Sequence, residues 1–337
     1  MSRIAAKAAG AAAAGASVLL AADQLERLSL SVGIAQGLSL RSSRLQEHRV
    51  DSSALPEPVT MSIRSMMRYG IDSTGTIEWP GGRVLLQYLM DTLPLDKPGT
   101  VLEVGSGVGT TAIGLALAAG PASAESGSAR RLNVVASDCD EAACSVLREN
   151  AERNGVASLP VVKWDAASDA VLPIAVDELT HLIGADVVYY GGADDTDADD
   201  ASTSKVRGLA GTLAVLLAQR PSLEVVLLCT ERFPAEHTEG RDAALLQFER
   251  RCVAHGLHVT RQPVPAATER RVREAQSLAV RGAWWVSGMW ESLWLYHVSL
   301  PRGSDEASFV ELGGRTPSHR SMMFISDEGI MPVKPHE

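Results

Sequence analysis

The chain has 337 residues, 45% of them hydrophobic, and is therefore long and apolar enough to bury a sizeable core without disulfides or a structural metal. Fibrous, collagen-like and small disulfide-framework classes are excluded. Lysine and arginine number 31 against 41 acidic residues, a net charge of −10, which argues against broad binding to a phosphate backbone.

From the N-terminus, Ala8 to Ala22 is an uncharged run of mostly alanine and glycine, preceded by Arg3 and Lys7 and closed by Asp23. It is too short and too weakly apolar to span a bilayer, which takes about 20 mainly apolar residues. An alanine-rich helix or disordered arm, an organelle transit peptide and a secretory signal all remain open readings. Residues 1–60 are taken as an N-terminal extension, 61–300 as one domain and 301–337 as a C-terminal tail. No Pro/Gly/Ser linker divides residues 60–300.

Within that domain, Val101 to Val104 is a β-branched apolar run ending at Gly105, and Thr110 to Ala119 is suited to a helix. Asn133 to Ser137 gives the next strand. Asp140 then caps a helix whose Ala143, Val146, Leu147 and Ala151 share a face, ended by Asn154-Gly155. Val161 to Trp164 and His181 to Val187 read as further buried strands. Val206, Leu209, Ala210, Leu213, Leu216 and Leu217 recur at helical spacing, and Leu223 to Thr230 returns to strand. A helix from Asp242 to His255 stops at Gly256, Leu257 to Thr260 is a short strand, and the aromatic stretch through Trp284, Trp285, Trp290, Trp294 and Tyr296 reads as closing strands. Near-continuous apolar strands alternating with amphipathic helices predict a three-layer, Rossmann-like α/β fold, a mainly parallel sheet with helices on both faces. Gly120 to Arg131 reads as a loop insertion, and the acidic run Asp194, Asp195, Asp197, Asp199 and Asp200 as a solvated loop.

Glu103-Val-Gly105-Ser-Gly107-Val-Gly109 sets glycines at every second position between a strand and a helix, where a nucleotide-type ligand can approach bare backbone and free helix N–H groups. A dinucleotide fingerprint wants glycine at its sixth position, but Thr110 stands there. The acid two residues ahead of the first glycine suits a ligand with a cationic amino group. Asp138, after the second strand, suits two ribose hydroxyls. The cysteines Cys139, Cys144, Cys229 and Cys252 form no CxxC pair, fit a reducing compartment and read as small buried hydrophobes. His181, His255 and His258 lack metal-ligand spacing, so no metal is expected.

VLEVGSGVG, VVASDCD, VVKWD and LIGADVVYY, in that order, resemble the successive motifs of a class I, seven-strand S-adenosylmethionine-dependent methyltransferase. More narrowly, TGTIEWPGGRVLLQYL, the D-x-x-Y of Asp186 to Tyr189, and LLCTERF followed by LLQFERRCVAHGLHV resemble the protein-lysine methyltransferases grouped as methyltransferase family 16. The resemblance covers roughly residues 70–300. It implies a seven-strand sheet, S-adenosylmethionine as cofactor, and methyl transfer to a lysine of a protein substrate. It also implies that Glu103, Gly105, Gly107 and Gly109 hold the cofactor's methionyl end, and Asp138 its ribose. Trp164, with Asp165 beside it, would flank the adenine. Trp79 would close over the cofactor, and Ala185 would line it. Glu78 stands ahead of Trp79 where that family usually shows an apolar residue. Asp186 would position the acceptor amine and Tyr189 wall its channel. A histidine or small-amine acceptor, and a non-catalytic module of the same fold, are the alternatives. The expectation is a cytoplasmic monomer without nucleic-acid or membrane partners, organelle targeting by the N-terminal segment being left open.

Overall fold

A computed structural model describes residues 42–52, 55–67, 74–120, 132–168, 172–188, 205–231, 242–275, 293–301, 323–326 and 329–332. Two antiparallel strands come first, β1 (Ser42–Val50) and β2 (Val59–Met67). The central sheet follows, made of β3 (Gly99–Val104), β4 (Leu132–Asp138), β5 (Val161–Lys163), β6 (Leu179–Ala185), β7 (Glu224–Thr230), β8 (His258–Pro263) and β9 (Leu293–Ser299). Its order is β5-β4-β3-β6-β7-β9-β8. The strands from β5 to β7 run parallel, while β9 runs antiparallel to both β7 and β8. A further antiparallel pair, β10 (Met323–Ser326) and β11 (Gly329–Pro332), lies in the C-terminal tail.

Among the described residues six α-helices connect these strands: α1 (Pro80–Thr92), α2 (Thr110–Ala119), α3 (Glu141–Arg153), α4 (Lys205–Gln219), α5 (Ala243–Ala254) and α6 (Ala266–Ala275). Successive strand residues point to opposite faces, so each buried strand feeds two cores. Val101, Val134, Ile183 and Leu228 pack with Val84 and Leu85 of α1, Ile113 of α2 and Leu147 of α3. Leu102, Val135, Leu182 and Leu227 pack with Leu213 of α4 and Phe248 of α5. The helices therefore cover both faces, as the apolar runs predict. Asp140 and Asp242 sit at N-caps, where their carboxylates accept backbone N–H bonds from Ala142 and from Ala244 and Leu245.

The structure differs from the sequence reading at the edges. Only Leu293–Ser299 of the aromatic stretch is a described closing strand, and Trp284, Trp285 and Trp290 lie outside the described residues. So do Ala8 to Ala22, residues 121–131 of the proposed insertion, and the aspartates from Asp194 to Asp200. Strand β1 falls within the stretch assigned to the N-terminal extension, and α1 and α6 have no counterpart in the periodicity reading.

Strand β2 is tied to the domain by side chains. Asn150 Oδ1 accepts the Arg64 N–H at 2.9 Å, and its Nδ2 donates to the Arg64 and Val108 carbonyls at 2.9 Å each. Asn154 repeats this with Ser62, accepting its N–H at 2.7 Å and donating to its carbonyl at 2.8 Å. Four residues of helix and two of strand both advance about 6–7 Å, so the two amides meet two outward-facing backbone positions in register. Asn150 is fully buried. Its loss would leave three enclosed or partly enclosed backbone groups short of a partner, so Asn150→Ala is expected to cost about 2–4 kcal/mol in chemical denaturation, and more than Asn154→Ala.

Candidate functional site

The site lies where the sheet's winding reverses. From β3 the chain crosses outward to β4 and then β5, and returns on the other side as β6. The carboxyl ends of β3 and β6 therefore open onto a crevice, the usual ligand position in doubly wound sheets. The glycine loop leaves β3 here and ends at the N-terminus of α2, with Gly105, Gly107 and Gly109 at φ of 62°, 54° and 92°. Any side chain at these angles is strained. Space is short as well, since a Cβ on Gly105 would stand 2.6 Å from Val187 Cγ1 and force it to shift, and one on Gly107 would stand a tight 3.2 Å from the Gly75 carbonyl oxygen.

Asp138 ends β4 and is 6% exposed. Its Oδ2 accepts the Gly107 N–H at 2.9 Å and its Oδ1 accepts the Asp140 N–H at 3.0 Å. The carboxylate thus fixes the loop and starts the turn into α3. The neighbouring strand ends add a serine latch, in which Ser106 N–H donates to the Ser137 carbonyl at 2.9 Å and Ser137 Oγ donates to the Glu103 carbonyl at 2.7 Å.

Glu103, the acid two residues before the first glycine, is only 2% exposed. Its Oε2 accepts the Ala112 N–H at 3.0 Å, which places the carboxylate on the first turn of α2. Burial pushes this carboxyl up to about 7, against the lowering effect of hydrogen bonds from Thr111, Ser106 and the Ala112 N–H. Glu103 therefore supports the loop from beneath. The side chain does not line an open surface.

Asp186 follows the last residue of β6, the half-buried Ala185. It is the single non-glycine residue with positive φ among the described residues, at 56°. Such a conformation costs on the order of 1–3 kcal/mol and persists when its surroundings impose it. Here Asp186 N–H donates to the Leu228 carbonyl at 2.7 Å, and Asp186 Oδ1 accepts the Thr230 N–H at 2.8 Å. Its Oδ2 lies 2.7 Å from the place a Gly81 Cβ would take, so the carboxylate sits against the start of α1. Tyr189 lies outside the described residues.

Trp79 is the N-cap residue of α1 and is 41% exposed. Trp164 is 4% exposed; its backbone N–H donates to the Asp138 carbonyl at 2.9 Å, and its side chain packs in the core with the apolar residues of α4. A ring that stacks on a ligand needs an open face, so the half-buried Asp165 is the more accessible of the two. Asp165 Oδ1 accepts the Ala167 N–H at 2.9 Å. Sequence periodicity gives no sign of Gly75 and Gly81, which bring one segment against both Asp138 and Asp186. The visible trace of that segment is the TGTIEWPGG motif around Trp79. Among the described residues no group of three or more ligating side chains is placed to hold a metal, and no helix is long and apolar enough to cross a membrane.

The sequence model of the lysine methyltransferase family matches residues 60–233. Electron transfer flavoprotein beta subunit lysine methyltransferase of Rattus norvegicus is 34% identical over 91 residues, covering 27% of this chain and 31% of that protein. The Homo sapiens protein of the same name is 33% identical over 104 residues, covering 28% of this chain and 36% of that protein. The matched part thus spans about a third of the length of these curated relatives. A solved SAM dependent methyltransferase from Aquifex aeolicus has 12% identity and a TM-score of 0.40, covering 66% of this chain and 90% of that chain.

Two measurements test this geometry. Alanine normally stabilises a helix by about 1 kcal/mol over glycine. At position 81 its methyl group would meet Asp186, so thermal melting of Gly81→Ala is expected to show a loss of about 1–3 kcal/mol. For Glu103, an unfolded glutamate titrates near ~4.3. The folded protein therefore holds a proton that the unfolded chain has released between there and about 7. Stability from this group is full below the unfolded value and falls as pH rises to about 7. Urea unfolding of Glu103→Gln and the native protein should show the variant gaining about 2–4 kcal/mol relative to the native between pH 4.5 and pH 8.

Proposed function

This chain belongs to the lysine methyltransferase family, and on that footing we propose that it transfers a methyl group from S-adenosylmethionine to a lysine side chain of a protein substrate. The observation that carries the proposal is Asp186, held at positive φ by the Leu228 carbonyl and the Thr230 N–H at the mouth of the crevice beside the glycine loop. Strain kept at a strand end beside a ligand crevice is characteristic of functional positions.

The residues fit the cofactor. The loop offers backbone without side chains at Gly105 and Gly107, and the carboxylate of Asp138 suits a ribose diol. We assign Asp138 to that diol, the loop to the methionyl end, Trp79 and Ala185 to the flanks, and Asp165 to the adenine edge. Trp164 then forms the floor behind Asp165, and Glu103 acts through the loop it supports. Bound S-adenosylmethionine would supply a methyl group on a positively charged sulfur, open to direct displacement.

Catalysis by the chain's own groups is then mostly positioning and exclusion of water, which explains why no Ser/His/Asp constellation is needed. A free lysine keeps its proton up to about 10.4, whereas displacement requires the neutral amine. Removal from water favours that form. A carboxylate also stabilises ammonium, so Asp186 is assigned to orienting the amine, with Tyr189 as a wall of its channel. The names of the relatives support a protein acceptor, and an electron transfer flavoprotein beta subunit is the first to assay. The net charge of −10 supports a basic acceptor surface and no role for nucleic acid.

Calorimetry with S-adenosylmethionine should show binding to the native protein. Asp186→Asn keeps an acceptor for the Thr230 N–H. It is expected to bind the cofactor within about threefold of native and to transfer methyl about 100-fold or more slowly. Equal loss of both properties would contradict the role given to Asp186.

A further inference from the structure

Residues 75 to 81 run across the crevice as a strap. At one end, a Cβ on Gly75 would lie 3.7 Å from Asp138 Oδ1, and the Gly75 carbonyl abuts Gly107. At the other end Gly81 meets Asp186. The strap thus touches the residues assigned to the cofactor and the residue assigned to the acceptor amine. Its middle is Glu78, a carboxylate whose side chain is 3% exposed.

Glu78 gathers partners from four elements. Its Oε1 accepts from Thr110 Oγ1 of α2 at 2.9 Å and from Arg83 Nε of α1 at 3.0 Å, and it pairs with His48 Nε2 of β1 at 3.0 Å. Its Oε2 accepts from Arg83 Nη2 at 2.6 Å, and its backbone N–H donates to Ser65 Oγ of β2 at 3.1 Å. Arg83 is held in turn by Gln46 of β1. A second tie repeats the link, since Thr111 Oγ1 donates to the Gly82 carbonyl at 3.2 Å. Thr110 and Thr111 are the first two residues after the glycine loop, and the N-cap residue of α2, Gly109, has no side chain to fix that end.

A buried ion pair contributes little net stability over well-packed apolar groups, because taking both charges out of water offsets their attraction. What such a pair supplies is geometry, because Arg83 and the carboxylate meet through two directed bonds. His48 and Arg83 hold the Glu78 carboxyl down at about 2 despite its burial, so the anchor stays charged across the physiological range.

We propose that Glu78 is a positioning residue for the cofactor site, pinning the strap and the start of α2 so that the glycine loop stands ready before the ligand arrives. This rests on the reading of the crevice as a binding site for S-adenosylmethionine. Cofactor affinity is then set in part by a residue that faces away from the cofactor.

The test is calorimetry with S-adenosylmethionine on the full chain, with thermal melting alongside, for the native protein, Glu78→Gln, Thr110→Val and the double variant. Glu78→Gln is expected to weaken binding by folded protein about tenfold, and Thr110→Val to weaken it in the same direction. The double variant should bind within about twofold of Glu78→Gln, because both changes break one link. Thr110→Val leaves the ion pair intact and carries the test if Glu78→Gln does not fold. A lower melting temperature with native affinity in both single variants would overturn the assignment, since a merely structural anchor moves only the first. A native protein that does not bind the cofactor would instead overturn the reading on which the assignment rests.

Discussion

A loop built to leave its backbone bare has few side chains with which to hold its own shape. That constraint governs the rest of the structure. Between β3 and α2, left-handed glycines alternate with one serine and one valine, and beyond the bonds of Ser106 the restraints come from outside the loop. Asp138 grips the Gly107 N–H, Ser137 bonds the Glu103 carbonyl, Asn150 bonds the Val108 carbonyl, and Glu103 holds the first turn of α2. The supports come from three separate parts of the sequence, which the parallel sheet and α3 bring to one end.

The two acids nearest the loop show how environment divides their roles. Glu103 is buried with hydrogen-bond donors but no cation beside it, and burial pushes it up to about 7. Glu78 is as deeply enclosed, yet Arg83 and His48 hold it down at about 2. The first lies close to its titration point at neutral pH, and a cationic ligand at the loop would favour its charged form. The second is a fixed charge around which β1, β2, α1 and α2 assemble. Asp186 illustrates a third arrangement, a carboxylate fixed by backbone strain and by the Thr230 N–H.

Much of this was legible in the sequence, for identifiable reasons. Strands buried on both faces read as plain apolar runs, so β3, β4, β6 and β7 were visible at once, as was the cap at Asp140. Alternate glycines after β3 marked the loop. The β1–β2 pair was not legible, because its polar attachment is through two asparagine amides, Asn150 and Asn154, 86 and 92 positions from their partners Arg64 and Ser62, beside the apolar packing of Met61 and Ile63. The strap was visible as the TGTIEWPGG segment, but the role of Glu78 was not, since it depends on His48 and Thr110. Trp164 shows the opposite failure, as its residue type suggested a ligand face and tertiary packing took the ring into the core.

The account rests on Asp186 presenting a lysine amine to the crevice. The most direct measurement is methyl transfer from labelled S-adenosylmethionine into a whole-cell extract, with the accepting atom identified by mass spectrometry. The account predicts label on lysine Nζ of a protein, absent when Asp186→Asn replaces the native chain. Label on histidine or a small amine, or label that persists in the variant, would contradict it.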